Sequence, residues 1–209
     1  MFRSAALLLS LTAFLPGCAA LSALQGEPDR DVFELRAPPV GSGQCGQGRL
    51  AELVVEPPKA RGTLDSNRIM IRPSPLQTQY LPDAIWGDPV PASLQRLLVE
   101  TLGGYDAFTH VGRAPLGIAG DYALISEIGA FNAELAGDGA LIRIAVDAQL
   151  VRESDATVVS RGRFASSAEA TSTRTSDLIP AFDAAAQDTV RQISAWALRG
   201  IGVDPGRCR

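Results

Sequence analysis

The chain has 209 residues, 46% of them hydrophobic and 20% charged, and a formal net charge of −4. That is about one domain's worth of chain with enough apolar material for a core, which excludes disorder throughout. The acidic balance excludes an electrostatic nucleic-acid binder, and a single short apolar run excludes a multi-span membrane protein. One histidine, His110, and three cysteines leave little material for metal or nucleophile chemistry, so no cofactor is expected.

The chain opens with Arg3 ahead of an apolar run, Ala5 to Leu15. At 1.5 Å per residue this run reaches about 16 Å, half a bilayer core, so it suits a signal-peptide h-region and cannot span as a helix. Leu15-Pro16-Gly17-Cys18 follows and resembles a bacterial lipobox. The resemblance implies that residues 1–17 are a lipoprotein signal peptide and that Cys18 is the lipid attachment site. Residues 18–31 would then be the lipidated N-terminus and tether. The alternative is an ordinary secretory signal cut near Ala19 or Ala20. Several acyl chains anchor a protein stably to a membrane, so the domain would face the periplasm. Ala19 rather than aspartate after the cysteine resembles an outer-membrane sorting signal.

Export leaves Cys45 and Cys208. An even pair in an oxidising compartment is most simply a disulfide. It would tie the early loop to the C-terminal tail, 201–209, and contribute about 4–5 kcal/mol in the chain-entropy model. Two free surface thiols are the alternative. Gly41-Ser42-Gly43-Gln44-Cys45-Gly46 matches G-x-G-x-x-G letter for letter. A dinucleotide site needs a strand directly before that motif and a helix directly after it. Here Pro38-Pro39 precedes and a strand-like run follows, so the segment reads as a loop held by Cys45.

Strands are expected at 32–36, 50–56, 68–72 and 76–80, each stopped by prolines or polar turns. Residues 81–87, with Trp86, connect to a helix capped by Asp88, with Pro89 in its first turn. Its stripe of Leu94, Leu97, Leu98, Thr101 and Leu102 has the helical period, and Gly103-Gly104 ends it. A short strand is expected at 108–111. A long strand over 122–135, broken by a bulge at Gly129, turns through Gly137-Asp138-Gly139. In the next strand Ile142, Ile144, Val146, Ala148 and Leu150 share one face, opposite the mostly polar Arg143, Asp147, Gln149 and Val151. Strict alternation predicts a sheet with one face buried and one solvated. A turn at 154–157 leads to a strand over 158–168. The last helix is capped by Ser176 or Asp177, carries Pro180 in its first turn and ends at Gly200. The expected class is α+β over residues 32–200: a mainly antiparallel sheet of about five to seven strands with two helices packed on one face.

This order resembles the ABC-type transport auxiliary lipoproteins, the PqiC-like family. The resemblance rests on the lipobox and the opening strand Phe33-Glu34-Leu35. It rests also on the strand Arg68-Ile69-Met70-Ile71-Arg72, and on Trp86 ahead of Pro91, Leu94, Leu97, Leu98 and Leu102. The long hairpin and C-terminal helix complete it. The resemblance implies a non-catalytic, membrane-anchored subunit of an ABC/MCE-type lipid transport system in the bacterial envelope. Its implied partners are an MCE-domain protein with a permease and an ATPase; the open sheet face is either a docking face for them or a homo-oligomer contact. No nucleic acid is involved, and the implied location is the outer membrane.

Two other functions are weighed against this one. A structural lipoprotein of an outer-membrane assembly or peptidoglycan-synthesis machine would use the same kind of domain. An enzyme would need His110 as its base, and no G-x-S-x-G elbow accompanies it. Glu127, Glu134, Asp147 and Glu153 read as solvated strand faces. Trp86 and Tyr80 are either a partner contact, if exposed, or packing at the start of the helix, if buried.

Overall fold

The computed structural model describes residues 30–40, 45, 51–113 and 120–207. The signal segment and tether with Cys18, most of the glycine-rich loop, and Cys208 lie outside the described residues. In chain order the elements are β1 (Asp31–Phe33), β2 (Glu52–Val55), β3 (Lys59–Ala60), β4 (Arg68–Ser74), β5 (Gln77–Trp86), α1 (Val90–Gly104), β6 (His110–Arg113), β7 (Tyr122–Ala136), β8 (Gly139–Arg152), β9 (Thr157–Ala170) and α2 (Thr175–Gly200). A 3-10 turn, Pro205–Arg207, follows.

The strands form one sheet built on β7. Along one edge β7 pairs antiparallel with β8 over its whole length, and β8 pairs antiparallel with β9. Along the other edge three short strands meet it in succession, all parallel. Leu53 to Val55 of β2 lie beside Tyr122 to Leu124, Lys59 of β3 beside Glu127, and Ile71 of β4 beside Ala133. β6 extends the sheet beyond β2, while β5 and then β1 extend it beyond β4. The expectation of a mainly antiparallel sheet with five to seven strands is corrected: the sheet is mixed and has nine strands. Alternation reports which face is buried and carries no information on strand direction. The strand that went unexpected, β3, has only two residues, too few for a period to register, and β1 is shorter than the expected 32–36.

Local punctuation explains the turns. The β7–β8 hairpin uses a two-residue loop in which Gly137 has φ +58. Positive φ at the first loop residue is the pattern that matches the strand twist and favours glycine. The register shift between Ile128 and Ala130 is the bulge expected at Gly129. In the β8–β9 turn Ala156 has φ +55. There the Asp155 carboxylate accepts the Thr157 N–H at 3.1 Å and an Arg152 N–H at 3.2 Å.

Three boundaries differ from expectation. The expected connector at 81–87 is the second half of β5, because Pro82 and Asp83 interrupt the alternation without ending the pairing. The N-cap of α1 is Pro89, with no side-chain cap, so Asp88 does not cap it. The N-cap of α2 is Arg174, which places Ser176 and Asp177 inside the first turn and Pro180 in the second. Asp177 lies near the positive end of the helix and accepts from Ser172 and Arg174, which serves the terminus without a formal cap.

Both helices bury their stripes in one core. α2 covers β8 and β9, and α1 covers β2 and β6 and touches α2. At the centre Trp86 meets the edges of Phe131 (ring centroids 6.1 Å apart) and Phe182 (5.4 Å), and those two rings stack at 5.6 Å. This cluster joins β5, β7 and α2, elements far apart in sequence. A second pair, Phe164 and Trp196 at 5.4 Å, seats α2 on β9. A Cβ on Gly162 would collide with the Phe164 ring, so this strand position is held by packing rather than by backbone conformation.

Truncating the central cluster creates a large cavity. Phe182→Ala is expected to cost about 3–5 kcal/mol of stability, read by urea unfolding. Gly162→Val forces Phe164 off its seat and is expected to cost about 1–3 kcal/mol.

Candidate functional site

The face of β7, β8 and β9 away from the helices is solvated and charged. Register places Lys59, Glu127, Asp147 and Arg163 side by side across β3, β7, β8 and β9. Two like charges directly opposite on neighbouring strands are unfavourable alone. Here each acid is flanked by a base on its outer side, giving a plus-minus-minus-plus row. Arg163 Nε donates to Asp147 at 2.8 Å, and two rungs away Arg143 Nε donates to Glu134 at 2.6 Å. A groove of about 490 Å³ runs over this row, lined also by Ile125, Gln149 and Arg161. Ile125 is one of the few large exposed apolar side chains, 37% accessible. A smaller hollow of about 420 Å³ lies at the β7–β8 end, beside Asp121, Tyr122, Arg152 and Glu153. Both are open to solvent and carry charged side chains in their lining.

The chain's exit toward the N-terminus is fixed by a separate set of contacts. β1 lies parallel to the end of β5. After it, Arg36 donates its backbone N–H to Asp183 Oδ1 at 2.9 Å. Its guanidinium bonds Asp183 Oδ2 through Nε at 2.9 Å and Nη2 at 2.6 Å. Gln187 donates to the same oxygen at 2.9 Å. Arg96 holds the Leu35 carbonyl at 2.8 Å. Asp183 is buried on α2, so its charge is neutralised by a strap 147 residues away in sequence. Sequence reasoning missed this pair. The signal was an acid next to Phe182 on the buried side of an apolar stripe, where an unpaired carboxylate is not tolerated.

Of the residues singled out in the sequence, Trp86 is 1% exposed, so it packs the core and presents no surface to a partner. Tyr80 is half-buried. Its hydroxyl donates to the Thr63 carbonyl at 3.0 Å, and the Arg68 guanidinium lies 3.9 Å from its ring centroid, a cation–π contact. Cys45 is buried, with its N–H donating to the Tyr105 carbonyl at 3.3 Å. His110 is exposed at the first position of β6, beside Glu52. Glu127 and Asp147 share the charged row, Glu134 is held by Arg143, and Glu153 lies in the turn after β8. Among the described residues no group of three or more His, Cys, Asp or Glu side chains could hold a metal. No helix there is long and apolar enough to cross a membrane.

Where α2 meets β9, Asp188 is held below the usual carboxylate range, first by the Ser166 hydroxyl at 2.8 Å and then by Gln192 and Arg191. Asp177 and Asp155 are lowered too, by Ser172 and by the Thr157 N–H respectively. A carboxylate with a folded-state pKa below its unfolded value contributes stability above the unfolded pKa and loses it as pH falls through the folded one. Thermal stability is therefore expected to decline below about pH 4, and Asp188→Asn to make that decline shallower in a calorimetric pH series. Asp183→Ala is expected to release the strap, making residues 34–40 the first site of limited proteolysis. That loss is about 1.5–3 kcal/mol by urea unfolding.

The geometry has solved counterparts. A protein from Xanthomonas campestris has the same fold, with a TM-score of 0.71 over 81% of this chain and 95% of that one, at 24% identity. A second, uncharacterized protein superposes with a TM-score of 0.63 over 80% of this chain and 97% of its own, at 15% identity. An uncharacterized protein of Bradyrhizobium diazoefficiens is 24% identical over 193 residues, 91% of this chain. The chain spans about half that relative's length (51%). The family model described as the ABC-type transport auxiliary lipoprotein component matches residues 33–194, from the last residue of β1 into the final turns of α2. The chain belongs to the ABC-type transport auxiliary lipoprotein components, a family of cell-envelope lipoproteins.

Proposed function

We propose that this protein is a non-catalytic subunit of an ABC/MCE-type lipid transport system, lipid-anchored through Cys18 and facing the periplasm. Its role is to dock or hold the MCE-domain protein and, through it, the permease and ATPase. The observation that carries this reading is the family match across nearly the whole sheet-and-helix unit. The charged row Lys59, Glu127, Asp147 and Arg163 supplies a docking face of fixed register on a rigid sheet. Both described hollows are lined by charged side chains, which favours holding a partner over carrying an acyl chain. The outer membrane is the proposed site of the anchor, on the Ala19 sorting resemblance.

The Cys45–Cys208 disulfide belongs to the same proposal. It is supported by the burial of Cys45 and by the 3-10 turn, Pro205–Arg207, that precedes Cys208 in the chain.

Crosslinking in the native envelope, followed by affinity purification of the full lipoprotein, tests the function. The expected co-purifying set is an MCE-domain protein with its permease and ATPase. A cell-wall synthase or outer-membrane assembly machine in their place would reject the reading. Reversing the row with Glu127→Lys is expected to reduce recovery of the partner while changing stability by no more than about 0.5 kcal/mol. Cys18→Ser is expected to move the protein from the membrane to the soluble fraction.

A further inference from the structure

The outer edge of β9 is a continuous run of unpaired backbone. Among the described residues β9 pairs with β8 alone, and α2 packs on the face of β9 that carries Phe164 and Ser166. Fourteen residues at about 3.3 Å each give an edge of roughly 46 Å. Proteins blunt such edges with proline, shortness, bulges or charge, because an exposed edge recruits another strand. β9 contains no proline and its pairing is regular from Ser160 to Ala170. Its only protection is charge.

That charge is ordered in a way that fits one partner. On the open face of β9 the residues run Arg161, Arg163, Ala165, Ser167, Glu169, all exposed. Arg163 is paired within the sheet to Asp147. Arg161 lies beside Gln149, and Glu169 beside Leu141. Neither takes part in any ion pair among the described residues. The two unpaired charges are of opposite sign and sit four positions either side of Ala165.

We propose that β9 pairs antiparallel with β9 of a second copy, about a two-fold axis at Ala165. Arg161 then lies directly opposite Glu169 of the partner subunit, and symmetry makes the same pair twice. Arg163 meets a serine position instead of another arginine. On the helix side, Gly162 falls opposite an alanine position and Phe164 opposite a serine position, so small residues leave room for both helices. An axis at Arg163 would oppose two arginines, and one at Arg161 would do the same. The edge charges therefore disfavour an arbitrary strand, and the Ala165 register pairs the two charges that have no ion-pair partner within the sheet. The result is one sheet running through both copies. β1, the first described strand, lies at the far side of the sheet from β9. This inference does not depend on the transport partner.

Full-length lipoprotein in detergent, followed by sedimentation equilibrium, tests it. The parent chain is expected to dimerise. Arg161→Glu or Glu169→Arg alone is expected to weaken the dimer about tenfold or more, since each creates two like-charge pairs. The double reversal is expected to restore it to within about threefold of the parent. Both positions are exposed, so circular dichroism should be unchanged. Ala165→Cys, which sits on the axis, is expected to give an intermolecular disulfide under oxidation that the parent chain does not form. A monomer at all concentrations overturns the proposal. So does a dimer indifferent to the single reversals, or a double reversal that fails to restore it. Restoration by Arg163→Glu with Glu169→Arg instead would overturn this register.

Discussion

Strand β7 carries hydrogen-bonding groups along both edges, and the rest of the fold follows from how those are met. A buried strand cannot leave its N–H and C=O groups unpaired. One edge is satisfied by β8, reached through a two-residue turn, so this half of the sheet forms from neighbours in sequence. The other edge has no adjacent segment to use. It is completed by three pieces of chain from residues 53–72, running parallel to it and each only a few residues long. Parallel neighbours need long connections, and α1 lies in the connection that brings β6 alongside β2. The mixed sheet is a consequence of this division of labour.

The same division explains the core. The β7–β9 meander buries a regular apolar ladder under α2, while the N-terminal half is joined to it by single large contacts. Trp86, Phe131 and Phe182 bring together β5, β7 and α2. Arg36 and Asp183 join the segment after β1 to the same helix. These two links are polar and apolar solutions to one problem, holding short strands that have little pairing of their own. The helix layer leaves the opposite face free, and its charges are then arranged by register: the Glu127–Asp147 opposition is tolerated because Lys59 and Arg163 bracket it. That face and the β9 edge are distinct surfaces, one suited to a folded partner and the other to a strand.

How much was legible in advance depended on the range of the interaction. The alternation from Ile142 to Leu150, the bulge at Gly129 and the turn at Gly137 are local, and each was readable from spacing and residue type. So was the leucine stripe of α1. Trp86 and Tyr80 were harder, because an aromatic beside an amphipathic helix suits a core or a surface equally. The structure places Trp86 in the core and leaves Tyr80 half-buried over Arg68. The strap formed by Arg36 and Asp183 was invisible, since nothing in either segment names the other. The two-residue strand β3 was invisible for a simpler reason: it is shorter than the period that would reveal it.

By itself, therefore, the amino-acid sequence determined the secondary elements long enough to show a period, the solvated face of the β8 strand, and the order of parts that marks the family. It did so because these depend on neighbours within a few residues. Only the tertiary structure decided strand direction, the nine-stranded mixed sheet, the charged row across β3, β7, β8 and β9, and the free edge of β9. Those depend on which distant segments share a hydrogen-bond ladder, and pairing partners are set by the closure of the whole sheet.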